Sequence, residues 1–290
     1  ISKLGNPIGV AAYEPYDGDG EDQLFNYLGM GGIAIEPYPE FKEDAETVLL
    51  TQSSAYDEEV MDKLEKYLRK GGNAIVTVGF FKACYEKGMK DLTSVRFTHR
   101  HVLADEFMIA PYNYNTLEFC KGHDKLLFEI LNYKTNSTSN DVGLVAGEHT
   151  FPLMTEDSYG KGRLFILNVP ENFADLYKLP KEGWKCIAKH ISMGQRVYMA
   201  GNGKHSLLSY DNGRYAIQSY NQTMTKVDVI VRGECKGLRD LETGAVYTQS
   251  IALPLPKHHI DATTVIPEPQ EYRFEIPVGA GTLMFFEVVD

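Results

Sequence analysis

The order of apolar and polar positions changes about two-thirds of the way along the chain. Before residue 194, short apolar runs alternate with segments in which apolar residues recur at helical spacing. After residue 194, short segments of alternating apolar and polar residues follow one another, separated by turn residues. The pattern therefore predicts two domains, residues 1–194 and residues 195–290.

The first domain is predicted to alternate strands and helices. The helix before the third strand has a single apolar face and ends at Gly71-Gly72, and an earlier helix is predicted over 21–28. This alternation is typical of a parallel sheet with helices on its faces, so we expect an open α/β domain. Apolar runs predict the strands over 7–13, 47–51 and 73–78.

The middle of the first domain is less regular. The apolar residues of segment 126–131 have helical spacing and predict a short helix. Apolar runs over 142–146, 151–154 and 164–167 predict further strands. A helix over 184–191 is expected to end the domain.

The second domain is predicted to contain strands and turns. Segments 206–210 and 215–220 flank Asp211-Asn212-Gly213, which is a turn sequence typical of a β-hairpin. Period-two segments over 227–231 and 272–276 predict further strands. We therefore expect an all-β antiparallel sandwich.

Composition and charge exclude several classes of partner. Hydrophobic residues make up 43% of the 290 residues and charged residues 24%, which is ordinary for a globular protein. The 29 Lys and Arg against 40 Asp and Glu give a net charge of −11, and a surface of that sign repels phosphate backbones, so no nucleic acid is expected as a partner. No segment has the roughly 18 uncharged apolar residues that a membrane helix needs, so no membrane span is expected.

The carboxyl ends of the predicted parallel strands are where an open sheet binds its ligand. Those ends carry Glu14, Ser53 and Phe80, which are the candidate ligand-binding residues. We assign no catalytic residue, because a nucleophile elbow needs Ser or Cys on the turn after a strand and the turn after the third strand carries Gly79. Cys84 comes about one helical turn too late, so a packing thiol is favoured over a nucleophile.

The four cysteines form no recognisable pair. They are far apart and include no Cys-x-x-Cys motif, which fits neither a zinc site nor a disulfide framework. We expect buried free thiols at these positions. The cysteines are Cys84, Cys120, Cys186 and Cys235.

Three other motifs are better explained by local structure than by ligand binding. Asp17-Gly18-Asp19-Gly20-Glu21-Asp22 lacks the spacing of a calcium loop and is interpreted as a polar loop before a helix, so no metal and no cofactor are expected. Gly160-Lys161-Gly162-Arg163 is shorter than a phosphate-binding loop and is interpreted as a hairpin turn. Tyr112-Asn113-Tyr114 is of the kind that stacks on sugar rings, although aromatic residues in loops more often pack against the protein.

Three segments of the first domain carry a resemblance to a known family. They are Val48-Leu49-Leu50-Thr51, Tyr67-Leu68-Arg69-Lys70-Gly71-Gly72-Asn73-Ala74-Ile75-Val76-Thr77 and Tyr159-Gly160-Lys161-Gly162-Arg163-Leu164-Phe165. Residues 5–194 thereby resemble the glutamine-amidotransferase-like domain that follows the catalytic barrel in several glycoside hydrolases, of which the β-galactosidase trimerisation domain is the best known. The resemblance implies a flavodoxin-like or amidotransferase-like open sheet.

The second domain is similar to the β-sandwich domains that end such enzymes. The likeness rests on Ser209-Tyr210-Asp211-Asn212-Gly213 and on Leu238-Arg239-Asp240-Leu241-Glu242-Thr243-Gly244. A catalytic barrel of about 250 residues is missing from the sequence, and so is the amidotransferase cysteine at its elbow. No catalytic residue of the family can therefore be transferred to this chain.

The resemblance implies a non-catalytic accessory region of a bacterial glycoside hydrolase acting in carbohydrate metabolism. Its partner would be an upstream catalytic barrel or a second copy of the chain. Two alternatives stay open: a carbohydrate-binding module, and an active cysteine amidohydrolase or amidotransferase that uses Cys84 or another nucleophile. The chain begins with Ile1, so we expect an excised piece or a mature product, and the resemblance alone implies a periplasmic or extracellular location.

Overall fold

The computed structural model describes residues 4–110, 117–200, 203–253, 257–259, 265–267 and 269–290. Its strands, in chain order, are β1 (Pro7–Ile8), β2 (Val10–Tyr13), β3 (Ile35–Tyr38), β4 (Thr47–Leu50), β5 (Asn73–Thr77), β6 (Arg96–Ile109), β7 (Glu118–Asn132), β8 (Thr138–Ala146), β9 (His149–Tyr159), β10 (Gly162–Leu167), β11 (Val197–Ala200), β12 (His205–Tyr210), β13 (Arg214–Ser219), β14 (Thr225–Arg232), β15 (Gly237–Asp240), β16 (Val246–Tyr247), β17 (Ile251–Ala252), β18 (Lys257–His259), β19 (Val265–Pro267), β20 (Glu271–Val278) and β21 (Leu283–Val289).

The helices lie almost entirely in the first two-thirds of the chain. Short 3₁₀ turns cover Gln52–Tyr56 and Phe173–Lys178, and a π turn covers Tyr85–Met89. Among the described residues, no helix combines the length and the apolar character needed to cross a membrane. The α-helices are α1 (Leu24–Met30), α2 (Val60–Lys70), α3 (Val78–Ala83), α4 (Lys90–Leu92) and α5 (Lys181–Ile191).

The first sheet is half parallel and half antiparallel. Within the described residues it has nine strands in the order β3-β2-β4-β5-β10-β9-β8-β6-β7. The predicted parallel pairing is confirmed from β3 to β10. From β10 to β7 each strand is antiparallel to its neighbour, because hairpins and not helical crossovers connect this part of the chain. The predicted open parallel sheet therefore describes only one half of the sheet.

Helix α2 shows how the sequence determines an element of this domain. Gly71 at its C-terminal end has a φ of 112°, a left-handed conformation that favours glycine. The N–H groups of Gly71 and Gly72 donate to the carbonyls of Leu68 and Tyr67, both at 3.1 Å, so the helix ends where the glycine pair predicts. Its predicted apolar face is buried and consists of Val60, Leu64, Tyr67 and Leu68.

The short helix predicted over 126–131 is wrong, because this segment is part of strand β7. Leu126 and Phe128 are buried while Leu127 between them is exposed, which is the alternation of a strand, and residues 129–131 are all buried. Leu127 lies opposite Leu103 of β6. An apolar run of this length is compatible with the period of a helix and with that of a strand, and pairing with β6 decides between the two.

The last third of the chain forms two antiparallel sheets. One has the order β1-β12-β13-β21-β15-β16 and the other β11-β14-β20-β17. Apolar residues from both sheets form one hydrophobic cluster between them, as in a β-sandwich. Strand β1, from the start of the chain, pairs with β12 and so belongs to the sandwich. A separate small sheet contains β18 and β19.

Helix α5 lies between the first sheet and the sandwich. The larger hydrophobic cluster extends from Val10 to Met193 and includes Trp184, Ile187 and Ile191 of this helix. The same helix contacts β6 and β8 on one side and β11 on the other. The Trp184 indole N–H donates to the carbonyl of Gly31 at 2.7 Å. The core of the first part of the chain therefore extends up to the sandwich.

Candidate functional site

The carboxyl ends of three parallel strands meet at one edge of the first sheet. Tyr13, the last residue of β2, lies opposite Leu50 of β4, which in turn lies opposite Val76 of β5. The strand order reverses between β2 and β4. Open α/β sheets bind ligands outside such a reversal, so this edge is the candidate site.

The structure places all three predicted binding residues at or beside this edge. Phe80 is fully buried in α3, and Ser53 is 3% exposed with its hydroxyl 2.9 Å from Thr51 Oγ1. Glu14 follows β2, where its N–H donates to the carbonyl of Tyr38 at 2.9 Å, and its side chain is partly buried. Of the three, only Glu14 retains appreciable exposure, and ligand binding by these residues stays a prediction.

The carboxylate of Glu21 fills the space between the ends of β4 and β5. Its Oε2 accepts hydrogen bonds from the Gln52 N–H at 2.8 Å and from the Thr77 hydroxyl at 2.5 Å. The Gly79 N–H lies beside the same carboxylate and helps to lower its pKa. The Thr77 hydroxyl oxygen accepts from the Phe80 N–H at 3.2 Å and so caps α3. The chain therefore satisfies its own amides at the strand ends.

Gly79 and Glu21 fit each other closely. A Cβ atom at position 79 would lie 2.5 Å from both Cδ and Oε1 of Glu21. Any side chain on this turn, including a nucleophile, would overlap the carboxylate. Burial raises the pKa of Glu21 above its usual value, although hydrogen bonds from Thr77, Gln52 and Gly79 act in the opposite direction.

The polar loop 17–22 brings Glu21 to this edge. A Cβ at Gly18 would lie 2.9 Å from the carbonyl oxygen of Ser53, and Gly20 has a φ of 103°, so the loop approaches the sheet where it has glycines. Glu21 itself has a φ of 56°, an unusual conformation for a residue with a side chain. Helix α1 begins at Leu24 and not at the predicted Glu21. Sequence reasoning missed the role of Glu21, for which the flanking glycines were the available signal.

Cys84 has the properties of a packing thiol. Its side chain is fully buried, and burial raises its pKa to about 11, with Lys87 acting weakly in the opposite direction. At neutral pH the group is protonated, and a protonated thiol is a poor nucleophile. All four cysteines are free; Cys186 is buried as well, and Cys120 and Cys235 are partly buried.

The remaining motifs give no second site at this edge. Within the described ranges, no group of three or more His, Cys, Asp and Glu residues is arranged to hold a metal ion. The hairpin turn predicted at Gly160-Lys161-Gly162-Arg163 is confirmed between β9 and β10, with a φ of 62° at Gly160. Tyr112, Asn113 and Tyr114 lie outside the described residues.

Comparison with family models assigns the first part of the chain. Residues 5–172, more than half of the chain, match the model described as the second domain of the uncharacterized protein SSO3021. The chain belongs to this family. The residues that match the SSO3021 second-domain family include the whole first sheet and the edge that Glu21 fills.

A second model matches the sandwich. Residues 196–277 match the C-terminal domain of a probable glycosyl hydrolase. The sandwich of this member of the SSO3021 second-domain family is thus similar to that C-terminal domain. No curated protein matches the chain.

The solved structures that match the chain include two β-galactosidases. The enzyme from Bacillus circulans sp. alkalophilus has 11% identity and a TM-score of 0.45 over 92% of this chain and 37% of its own. The enzyme from the haloarchaeon Halorubrum lacusprofundi has 12% identity and a TM-score of 0.47 over 99% and 41%. A cytoplasmic protein from Salmonella typhimurium has 12% identity and a TM-score of 0.43 over 63% and 98%. The chain spans about two-fifths of the length of these β-galactosidases.

Replacement of Glu21 by alanine is expected to lower the free energy of unfolding by about 1–3 kcal/mol, because the hydrogen bonds that its carboxylate accepts from the Gln52 N–H and the Thr77 hydroxyl are lost. Urea unfolding monitored by circular dichroism measures the change. Asp19→Ala is the matched control, since Asp19 is an exposed carboxylate of the same loop and its loss should change stability by less than about 0.5 kcal/mol. Equal stability of the two variants would contradict the role given to Glu21.

Gly79→Ala tests the fit between Gly79 and Glu21. In the wild-type background we expect a loss of about 1–3 kcal/mol from the overlap with the carboxylate. In a Glu21→Ala background the same change should be neutral or stabilising by up to about 1 kcal/mol, because alanine favours helix over glycine. A double-mutant cycle in urea measures this difference. Additive effects would show that the two residues do not contact each other.

Proposed function

We propose that the chain is a non-catalytic accessory region of a glycoside hydrolase, which supports or oligomerises the catalytic part. The observation that carries this proposal is the Glu21 carboxylate at the carboxyl ends of β4 and β5, hydrogen-bonded to Gln52 and Thr77. The position where a sheet of this kind would bind a substrate is occupied by the chain itself.

The chemistry of acyl transfer supports a non-catalytic role. An enzyme with a nucleophile elbow needs a side chain on the turn after the strand and free backbone N–H groups to stabilise an oxyanion. Here the turn carries Gly79, where a Cβ would overlap the Glu21 carboxylate, and this carboxylate lies beside the Gly79 N–H. Both requirements are unmet at this edge.

The parallel half of the sheet supports the finer part of the proposal, an amidotransferase-like origin. The strands β3, β2, β4, β5 and β10 stand in the order second, first, third, fourth and fifth along the chain. That order is typical of flavodoxin-like sheets. We include in the proposal a division into domains 1–194 and 195–290, and a catalytic barrel or a second copy, as in a trimerisation domain, as the partner.

The proposal predicts no turnover by the purified chain. A folded sample, checked by a cooperative thermal melt, should hydrolyse neither a panel of aryl glycosides nor glutamine above the rate of buffer. The reason is that the turn after β5 carries Gly79 and no nucleophile, and that the Glu21 carboxylate accepts the strand-end N–H of Gln52. Turnover that copurifies with the chain and disappears on a single substitution at this edge would overturn the proposal.

Alkylation of Cys84 tests the remaining route to catalysis. Brief treatment of the native chain with iodoacetamide should leave Cys84 unmodified, because the thiol is buried and protonated. In urea the same treatment should modify it fully. Mass spectrometry of the peptides gives both values, with the partly buried Cys235 as the internal comparison. Rapid modification of native Cys84 would favour an active cysteine enzyme.

A further inference from the structure

Two carboxyl groups meet beneath helix α5. Ser139 of β8, Glu156 of β9 and Phe165 of β10 lie side by side on adjacent strands. Asp141 comes two residues after Ser139, and its carboxyl group is hydrogen-bonded to that of Glu156. Two carboxyl groups form such a bond only when one of them holds a proton. Asp141 and Glu156, the carboxyl pair, therefore share a proton.

A β-bulge places Asp141 against the helix. The pairing of β8 with β9 shifts register between Asn140 and Val142, which leaves Asp141 as an extra residue with no opposite partner. A bulge of this kind changes the direction of a side chain. Ser139 Oγ donates to Asp141 Oδ1 at 3.0 Å, and Asp141 Oδ2 lies 3.3 Å from His190 Nε2 of α5. Asp141 is 8% exposed, so the bulge holds its carboxyl group in a buried position.

Helix α5 covers the carboxyl pair. The ring of His190 lies 5.0 Å from that of Phe165, and Cys186 Sγ lies 4.0 Å from the carbonyl oxygen of Asp141. A change in the charge of the pair therefore acts directly on the contact between α5 and the first sheet. The charged and titratable side chains that surround the pair are Arg163 of β10 and Cys186, Lys189 and His190 of α5.

Burial favours the protonated form of the pair. It raises the pKa of Asp141 to about 6, although the hydrogen bonds of this carboxyl and the charges of Arg163 and Lys189 act in the opposite direction. The ordinary pKa of an aspartate is about 3.9, so the folded chain binds this proton more tightly than the unfolded chain does. The resulting stabilisation is complete below about pH 4 and is lost as the pH rises through about 6.

A cavity gives water a route to the pair. It has a volume of about 310 Å³, lies at the C-terminal end of α5 between the first sheet and the sandwich, and is lined in part by Arg163, Lys189 and His190. It is at the amino edge of the parallel strands, since Arg163 lies at the start of β10 and Glu46, also in its wall, precedes β4. Adjacent ionised carboxylates that are buried need water or further cations. The cavity borders the groups that separate the pair from solvent.

We propose that the carboxyl pair is a pH-sensitive switch, which holds the C-terminal half of α5 on the first sheet while the pair shares a proton. When the proton leaves to solvent, two adjacent carboxylates repel each other, and the end of α5 moves away from β8 and β9 to admit water from the cavity. Because α5 also contacts β11, the switch acts on the junction between the first sheet and the sandwich. It is independent of the non-catalytic role proposed for the other edge of the sheet.

NMR titration of the Asp141 carboxyl carbon in the full wild-type chain tests the protonation step. We expect a midpoint near pH 6, about two units above that of an aspartate in an unstructured peptide. This measurement needs no variant and so does not depend on how a substitution affects folding. A midpoint below about pH 4.5 overturns the proposal.

Hydrogen exchange of the Ser192 amide, which donates to the carbonyl of Ala188 at 2.9 Å, tests the movement of α5. The wild-type chain is compared with Asp141→Asn at the same pH, because the intrinsic pH dependence of exchange then cancels. Asparagine has the shape of a protonated aspartic acid and cannot ionise. We expect the ratio of the wild-type rate to the variant rate to rise about tenfold between about pH 5 and about pH 7.5. A ratio that stays constant overturns the proposal.

Two further variants separate the pair from the other carboxylates of the hairpin. Glu156→Gln should remove the pH dependence as Asp141→Asn does, because the switch needs both carboxyl groups. Glu148→Gln is the matched control and should keep the wild-type behaviour, since Glu148 is an exposed carboxylate in the turn between β8 and β9. Thermal melts verify that each variant folds. Loss of the pH dependence in Glu148→Gln, or its persistence in Glu156→Gln, overturns the proposal.

Discussion

The arrangement of the molecule depends on how Arg232 joins the sandwich to the end of α5. Its guanidinium donates to backbone carbonyls at the end of α5, pairs with Glu271 at 3.1 Å and lies 4.5 Å from the centre of the Tyr198 ring. A buried charge is stable only when its donors are satisfied and a counter-charge is near. The counter-charge, Glu271, is the cross-strand neighbour of Arg232 within the sandwich, whereas the carbonyl acceptors lie at the end of α5 and require the helix and the sandwich to be in contact. Because α5 also packs into the larger hydrophobic cluster, this contact joins the sandwich to the first sheet, together with the packing of α5 on β11 and the pairing of β1 with β12.

The two edges of the first sheet differ because their backbone groups are satisfied in different ways. At the carboxyl edge, the N–H group of Gln52 and the hydroxyl of Thr77 are donors, and the chain supplies a carboxylate from Glu21. At the amino edge, the carbonyls at the end of α5 are acceptors, and the chain supplies a guanidinium from Arg232. Glu21 at the carboxyl edge fills the site where this kind of sheet normally binds a ligand. At the amino edge, beside Arg232, a cavity with cations in its wall remains.

Much of the fold could be predicted from local patterns. Periodicity and turn chemistry predict, within a few residues, the apolar face and the glycine end of α2, the Asp211-Asn212-Gly213 hairpin, and the strands β4 and β5. The antiparallel half of the first sheet could not, because the apolar run in β7 fits either period until β6 pairs with it.

The candidate site was harder to predict than the fold, because its contacts join distant parts of the sequence. Glu21 meets residues 31 and 56 positions away, and no local rule relates them. Phe80 was correctly placed after a strand, but α3 begins at Val78 and turns its ring into the core. The sequence therefore indicated the edge of the sheet but not the group that fills it.

Amide hydrogen exchange at Gln52 tests the central claim, that the chain's own carboxylate occupies the strand ends. Exchange measured by NMR reports whether the N–H is hydrogen-bonded in the native state. The account predicts slow exchange of the Gln52 amide in the wild-type chain and fast exchange in Glu21→Ala, with the amide of Ile75 in the middle of β5 slow in both. Exchange of the Gln52 amide at the rate of an unstructured peptide in the wild-type chain would contradict the account.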